Sequence, residues 1–237
     1  MHLRDELAYS YAEKAIQYMD KCEWYFAEVD LQQAQEEFRI EDFYLADEQS
    51  ISDLLPERKY NRIQKHCKSI LDFDITAYDR YLPLVLLNRI AEHILDKQKQ
   101  MALDQYLWMK AFEMSRQLSG IETLSSQLEL MRSMSTEEQL GIFVKAAGNL
   151  SKYARELKRL RKAYESQEIL SLYKISKRSL GALKKSLIYD RNAVMANEIV
   201  RNNDRTAFYA VGAAHLAGNK GVLKYLKEKG VKLKAIH

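Results

Sequence analysis

An eleven-residue stretch near the end of the chain constrains the fold more than any other part of the sequence. It reads Thr206-Ala-Phe-Tyr-Ala-Val-Gly-Ala-Ala-His-Leu216. Its first six residues are small, aromatic or β-branched and predict a short buried strand. Gly212 ends that strand, His215 follows, and residues 220–229 predict a helix. This order indicates an α/β protein in which His215 lies beyond the carboxyl end of a strand, where ligands bind. The alternative is a structural histidine held by hydrogen bonds.

Length and composition set the class of protein. A chain of 237 residues fits one sizeable α/β domain, or a small domain with a large helical insertion. Only 8 glycines and 2 prolines occur, which favours helices over an all-β fold. The net charge of +4 arises from mixed signs and does not indicate a dedicated nucleic-acid binder. No run is long and apolar enough to predict a transmembrane helix.

The two cysteines, Cys22 and Cys67, are too few for a disulfide scaffold and lack the spacing of metal ligands. Whether they form a single bridge is left open by the sequence.

A second buried strand is predicted over residues 22–31, and it carries the carboxylate of Glu28 near its end. Burying a carboxylate costs several kcal/mol unless a cation or hydrogen-bond donors meet it. Three interpretations remain open at this point. Glu28 pairs with an arginine, it caps the following helix, or it serves as a metal ligand or catalytic group.

Two further polar groups stand out. Residues 118–123 predict a short strand that ends in a second carboxylate, Glu122. Arg191 and Asn192 follow Asp190 within a helical segment predicted over residues 179–203. A planar guanidinium beside an amide suits the binding of a carboxylate or a developing oxyanion. Polarity on a helix surface is the simpler interpretation.

The remaining sequence predicts mainly helices, over residues 32–102 and 124–205, while residues 1–31, 103–123 and 206–237 form the sheet of a single domain. Ser135 and Glu138 form a capping box that starts one long helix. That helix carries a packing seam at four- and three-residue spacing, formed by Ala146, Leu150, Tyr153, Leu157, Leu160 and Tyr164. The basic run 152–162 suits phosphate binding, although a solvated helix face explains it more simply. Residues 230–236 alternate apolar and basic side chains and predict an edge strand.

The order of these motifs resembles the TraB/GumN family, which is related to the Tiki metalloproteases. Met1-His2, a helix and Ala27-Glu28-Val29 are similar to the opening of that family, where a Gly-x-x-His motif leads to a strand ending in glutamate. Asp104 on a helix and the strand Gly120-Ile-Glu-Thr123 are similar to its central segment. Arg191-Asn192 and Val211-Gly-Ala-Ala-His215 are similar to its closing segment.

The resemblance implies a helix-rich α/β fold, with a small sheet of two similar halves joined by a large helical region. It also implies a divalent-metal site and hydrolytic chemistry on peptides. Imidazoles and carboxylates suit Mn, Co or Zn. The resemblance gives the metal ligands as His2, Glu28 and His215, and the catalytic residues as Glu122, Arg191 and Asn192. A non-catalytic protein that binds a peptide or small ligand on the same scaffold is the alternative.

The sequence departs from the family pattern in two places. The first motif needs a strand and a Gly-Thr pair before Met1-His2, so we expect the natural start to lie upstream. A cytoplasmic protein is expected from the chain as written, and an exported one if a signal sequence precedes it. Ala214 replaces a glycine that is common in the second motif. The His-Glu-x-x-His motif of helical zinc proteases does not occur.

Overall fold

A computed structural model describes residues 4, 6–95 and 99–236 of the chain. These residues form one three-stranded parallel sheet in the order β2-β1-β3. The strands are β1 (Trp24–Val29), β2 (Gln117–Glu122) and β3 (Ala207–Tyr209). β1 and β3 lie within the stretches where strands are predicted, β2 begins one residue before its predicted stretch, and the helix-rich α/β class is confirmed. The division of the sheet into two similar halves stays a prediction.

Helices account for most of the remaining described chain. The first half contains α1 (Ala12–Met19), α2 (Leu31–Glu37), α3 (Ile51–Leu54), α4 (Glu57–Leu71), α5 (Pro83–Ile94) and α6 (Leu103–Glu113). The second half contains α7 (Leu124–Ser133), α8 (Thr136–Ala147), α9 (Leu150–Glu165), α10 (Ile169–Leu180), α11 (Arg191–Arg201), α12 (Ala213–Leu216) and α13 (Val222–Glu228). Short 3₁₀ helices span Glu6–Tyr9, Ile40–Phe43, Ile75–Tyr78 and Gly181–Leu183, and a π-helix spans Lys185–Asp190. Among these helices none is both long enough and apolar enough to cross a bilayer.

The sheet lies between two layers of helices because its side chains alternate between its faces. On one face, Phe26 and Ile121 pack with Met195 of α11 and Val222 of α13. On the other face, Tyr25 and Ala27 of β1 pack with residues of α1 and α6, chiefly Met19, Leu107 and Ala111. A separate apolar cluster is built by α3, α4, α5, α8 and the start of α9. The sheet is therefore buried on both faces, as parallel sheets usually are.

The prediction of a single helix after Ser135 is wrong, since this segment forms two helices, α8 and α9, in the structure. Asn149 between them has non-helical backbone angles, φ −142° and ψ 72°. Its side chain accepts a hydrogen bond from the amide of Lys152 at 3.0 Å and so caps α9. The residues of the predicted packing seam consequently lie on two different helices. Leu150 and Tyr153 pack in the helical core, while Tyr164 donates a hydrogen bond to the carbonyl of Ala8.

Two other predicted elements also differ from the structure. Residues 179–203 do not form one helix, because the π-helix and Gly181, with φ +56°, separate α10 from α11. Residues 231–236 do not form an edge strand. Leu233 and Ile236 are exposed by 37% and 56%, so no burial favours pairing of this segment with the sheet.

Candidate functional site

The carboxyl ends of the three strands bring five of the six candidate residues together. Glu28 is the penultimate residue of β1, and Glu122 is the last residue of β2, where it lies opposite Val29. Gly212 follows β3 and leads into α12, which carries His215. Arg191 and Asn192 are the first two residues of α11. This is the edge of a parallel sheet where ligands generally bind.

Arg191 lies between the two carboxylates. Its Nη2 donates to Glu28 Oε2 at 2.8 Å and to Glu122 Oε2 at 2.6 Å. Its Nε donates to both oxygens of Glu122, at 3.1 and 3.0 Å. The side chain of Glu122 is 6% exposed and that of Glu28 is 30% exposed. One guanidinium therefore neutralises part of the charge of two carboxylates in a largely buried setting, and the trio keeps a net charge of −1.

The second oxygen of Glu28 accepts a hydrogen bond from the amide of Gly212 at 2.6 Å. Burial alone would raise the pKa of Glu28, yet the pKa is lowered overall. Since His215 is neutral, we ascribe the lowering to Arg191 and to the Gly212 amide, both of which favour the carboxylate form. Of the three interpretations of Glu28, arginine pairing is present, whereas Asp30 and not Glu28 caps α2.

His215 is held in one tautomer by a chain of hydrogen bonds. Asn192 is fully buried and donates its Nδ2 hydrogen to the carbonyl of Lys220 at 2.6 Å. Its Oδ1 therefore faces His215 Nδ1, at 2.6 Å, and that ring nitrogen must carry the hydrogen. Burial lowers the pKa of His215, which favours the neutral ring. The lone pair of the neutral imidazole is consequently on Nε2.

Gly212 leaves open the space between Glu28 and His215. A Cβ placed on this glycine would lie 2.9 Å from Glu28 Oε1 and 3.4 Å from His215 Cδ2. The Cδ2 atom is bonded to Nε2, so the carboxylate and the edge of the imidazole ring both border this space. The sequence predicts a glycine that ends a strand here, and the structure shows that a side chain at this position would enter the space between Glu28 and His215.

The described residues supply only part of a metal site. They hold no group of three or more His, Cys, Asp and Glu side chains arranged to share an ion. A neutral imidazole nitrogen and a carboxylate, from His215 and Glu28, are the types of ligand that suit Mn, Co or Zn. His2, the third predicted ligand, lies outside the described residues. Two of the three predicted ligands thus have suitable donor atoms at the sheet edge, and their role as metal ligands stays a prediction.

Several features of the site could not be found by reading the sequence. The amide of Gly212 and the carbonyl of Lys220 act through the backbone, which leaves no signal in residue type. Gln127 donates to Glu122 at 3.1 Å from the next helix. The π-helix Lys185–Asp190 ends immediately before Arg191. Such π-helical turns occur often at functional sites, but the sequence here reads as ordinary helix.

The fold and site together define a helix-rich α/β protein with a Glu-Arg-Glu ion network and a buried His-Asn pair at the carboxyl edge of its sheet. Residues 1–235 match the TraB/PrgY/gumN family, and the chain belongs to this family. No curated protein and no solved structure matched the chain significantly.

Proposed function

We propose that this protein is a divalent-metal-dependent hydrolase that acts on peptides, with His2, Glu28 and His215 as its metal ligands. The observation that carries the proposal is the fixed tautomer of His215. Its Nε2 carries the lone pair that would bind a cation, because the hydrogen of the ring lies on Nδ1 and is donated to Asn192 Oδ1. Metal-binding histidines in proteins are usually oriented in this way by a partner on the other ring nitrogen.

A bound Mn, Co or Zn ion would lower the pKa of a water molecule and polarise a carbonyl group. The residues of the chain then have separate tasks. Asn192 orients His215, and Arg191 keeps Glu28 ionised and in place. Glu122 anchors the guanidinium from the opposite side.

A second candidate function is the binding of a peptide or small ligand without turnover. It is favoured by the position of Arg191, which already satisfies both carboxylates. In this case a ligand would stabilise the protein and would be released unchanged.

Metal content and thermal stability separate the two functions. The protein is loaded with Mn, Co or Zn, freed of excess ion and measured by mass spectrometry of the metal, by thermal shift and by cleavage of a peptide library. The hydrolase predicts stoichiometric metal and cleavage, both lost in His215→Ala and His2→Ala. His66→Ala on α4 is the matched control, because the buried residues of this helix pack in the separate helical cluster.

Gly212→Ala provides a more local test. Its φ of −58° is allowed for alanine, so the backbone can remain unchanged. The added methyl group would occupy the space between Glu28 and His215. We expect metal binding to weaken while the helical content is retained. Failure of every divalent ion to bind the unmodified protein would overturn the metal-dependent proposal, and stabilising ligands without cleavage would establish the second function.

A further inference from the structure

Two segments of the chain carry strong and opposite charge. Residues 30–48, called here the acidic arm, contain seven Asp and Glu residues and one Arg, for a net charge of −6. Residues 150–180, called here the basic helix pair, contain nine Lys and Arg residues and three Glu residues, for a net charge of +6. The whole chain has a net charge of only +4, so composition alone conceals this separation.

The acidic arm exposes most of its charge. It comprises α2, the 3₁₀ helix Ile40–Phe43 and a turn. Its exposed carboxylates belong to Glu36, Glu37, Glu41, Asp47 and Glu48. Among the described residues, the ion pairs of the arm are limited to Asp42 with Arg132, at 2.9 Å. The negative charge of the acidic arm is therefore largely uncompensated by nearby positive charges of the same molecule.

Apolar side chains lie at the centre of this acidic surface. Phe38 is 49% exposed and Ile40 is 40% exposed. Phe38 stands against Phe43 with ring centroids 5.3 Å apart, which fixes its position on the surface. An exposed aromatic and aliphatic centre with a charged rim is the usual composition of a protein–protein interface.

The basic helix pair has the complementary properties. Helices α9 and α10 pack against each other. On α9, the exposed cations belong to Lys152, Arg155, Lys158, Arg159 and Lys162. Four of them recur at spacings of three and four and share one helical face. Within the described part of the chain none of the five forms an ion pair. At the start of α10, Leu170 is 58% exposed.

We propose that the acidic arm of one molecule docks on the basic helix pair of a second copy of this chain. Both halves of the contact are present in every molecule, and each combines uncompensated charge of one sign with exposed apolar side chains. Such a contact joins two different surfaces and is therefore head-to-tail, giving rings or open chains of subunits. A nucleic acid or an anionic membrane would use the basic helix pair alone and would leave Phe38 and the carboxylates of the arm unexplained.

Salt dependence of the native protein is the first measurement. Sedimentation velocity at concentrations up to about 100 μM covers associations of micromolar strength. We expect the average mass to rise with concentration at an ionic strength of about 0.02 M and to return to the monomer at about 0.5 M, where surface charges are screened. Phe38→Ser should weaken the association tenfold or more at low salt.

Charge reversal tests which surfaces meet. One variant carries Arg155→Glu, Lys158→Glu and Arg159→Glu, and the other carries Glu36→Lys, Glu37→Lys and Glu41→Lys. All six side chains are exposed, so both variants should fold, which circular dichroism verifies. Each reversal brings the net charge of its own segment from +6 or −6 to zero, so each variant alone lacks one of the two charged surfaces and should remain monomeric. An equal mixture restores opposite signs across the contact and should associate.

A native protein that stays monomeric at low salt would overturn the proposal. Folded variants that fail to associate when mixed would do the same. Salt-sensitive binding to a single-stranded RNA or to phosphatidylserine vesicles, without self-association, would assign the basic helix pair to that partner instead. None of these measurements depends on metal binding or hydrolysis, so the result stands apart from the proposed function.

Discussion

His215 donates its Nδ1 hydrogen to Asn192 Oδ1 at 2.6 Å, and both side chains are buried. Asn192 can act as this acceptor because its amide nitrogen is committed to the carbonyl of Lys220. One buried asparagine thus fixes both the tautomer of the histidine and the position of the loop before α13. The chemistry available at the sheet edge depends on this relationship more than on any property of the histidine alone.

Replacing Asn192 should be costly for stability. Asn192→Leu removes both hydrogen bonds, so the His215 Nδ1 hydrogen is left buried without this acceptor and the Lys220 carbonyl loses its side-chain donor. The expected loss in the free energy of unfolding is about 1–3 kcal/mol for each group left unsatisfied. Urea denaturation measures it. Asn61→Ala on the exposed face of α4 is the control and should change stability by less than about 0.5 kcal/mol.

Arg191 should be essential to the stability of the sheet edge. Arg191→Met leaves Glu122, whose side chain is 6% exposed, and Glu28 without their cation. Breaking a buried ion pair on one side costs about 3–5 kcal/mol. Arg201→Met, in the same helix, removes an exposed pair with Glu198 and should cost less than about 1 kcal/mol. Adding Glu122→Gln to Arg191→Met should recover part of the loss, and equal losses in the single and double variants would contradict this explanation.

Gly120 and Gly141 form a matched pair for substitution by alanine. A Cβ at Gly120 would lie 2.8 Å from the carbonyl oxygen of Glu122 and still closer to the amide of Asp30, so β1 and β2 would have to separate. We expect Gly120→Ala to prevent or strongly weaken folding. A Cβ at Gly141, inside α8, meets no atom within 4 Å among the described residues. Gly141→Ala should raise the free energy of unfolding by about 0.5–1 kcal/mol. Thermal denaturation of the two variants compares them directly.

The start of α9 should depend on Asn149. Asn149→Ala removes the side-chain oxygen that accepts the amide hydrogen of Lys152. A lost helix cap of this type reduces stability by about 1 kcal/mol. Asn149→Asp keeps an acceptor and should remain within a few tenths of the native value. Identical denaturation midpoints for the alanine and native proteins would show that the cap does not stabilise the junction.

Stability at alkaline pH should report the burial of Cys67. Burial raises the pKa of this thiol from 9.0 to about 11. The folded protein therefore keeps a proton that the unfolded chain loses, and the resulting stabilisation is complete below pH 9.0 and is lost as pH rises toward about 11. Two pKa units correspond to about 3 kcal/mol. We expect the free energy of unfolding of the native protein to fall relative to that of Cys67→Ala between pH 9.0 and about 11. The fall should follow the conversion of about 1.36 kcal/mol per pKa unit. Comparing the two proteins cancels the titration of the tyrosines, and parallel curves would contradict the prediction.

The structure also answers whether the two cysteines form a disulfide. Cys22 and Cys67 are both free in the structure. They belong to different surroundings, since Cys67 packs in the helical core and Cys22 bonds to the carbonyl of Tyr18 beside the sheet.

Secondary structure was predictable wherever a local pattern determines it. The strand stretches around Glu28, Glu122 and Phe208 were found because each is short, apolar and followed by a polar or glycine residue. The helix after Ser135 was predicted too long, since hydrophobic spacing continues through Asn149 although the backbone does not. The prediction of an edge strand was wrong because alternating apolar and basic residues do not specify strand pairing unless one face is buried.

The sequence by itself determined the class of fold and the chemical types of the candidate site residues, which depend on patterns within about twenty neighbouring residues. It also indicated the family, through the order of short motifs along the chain. Only the tertiary structure decided how those residues are paired. Arg191 meets Glu28 across 163 positions of sequence and Glu122 across 69, and His215 meets Asn192 across 23. Strand order and helix packing set these distances, and a one-dimensional pattern does not contain them. The same physical reason explains why the sequence left three interpretations of Glu28 open and the folded chain shows which groups it contacts.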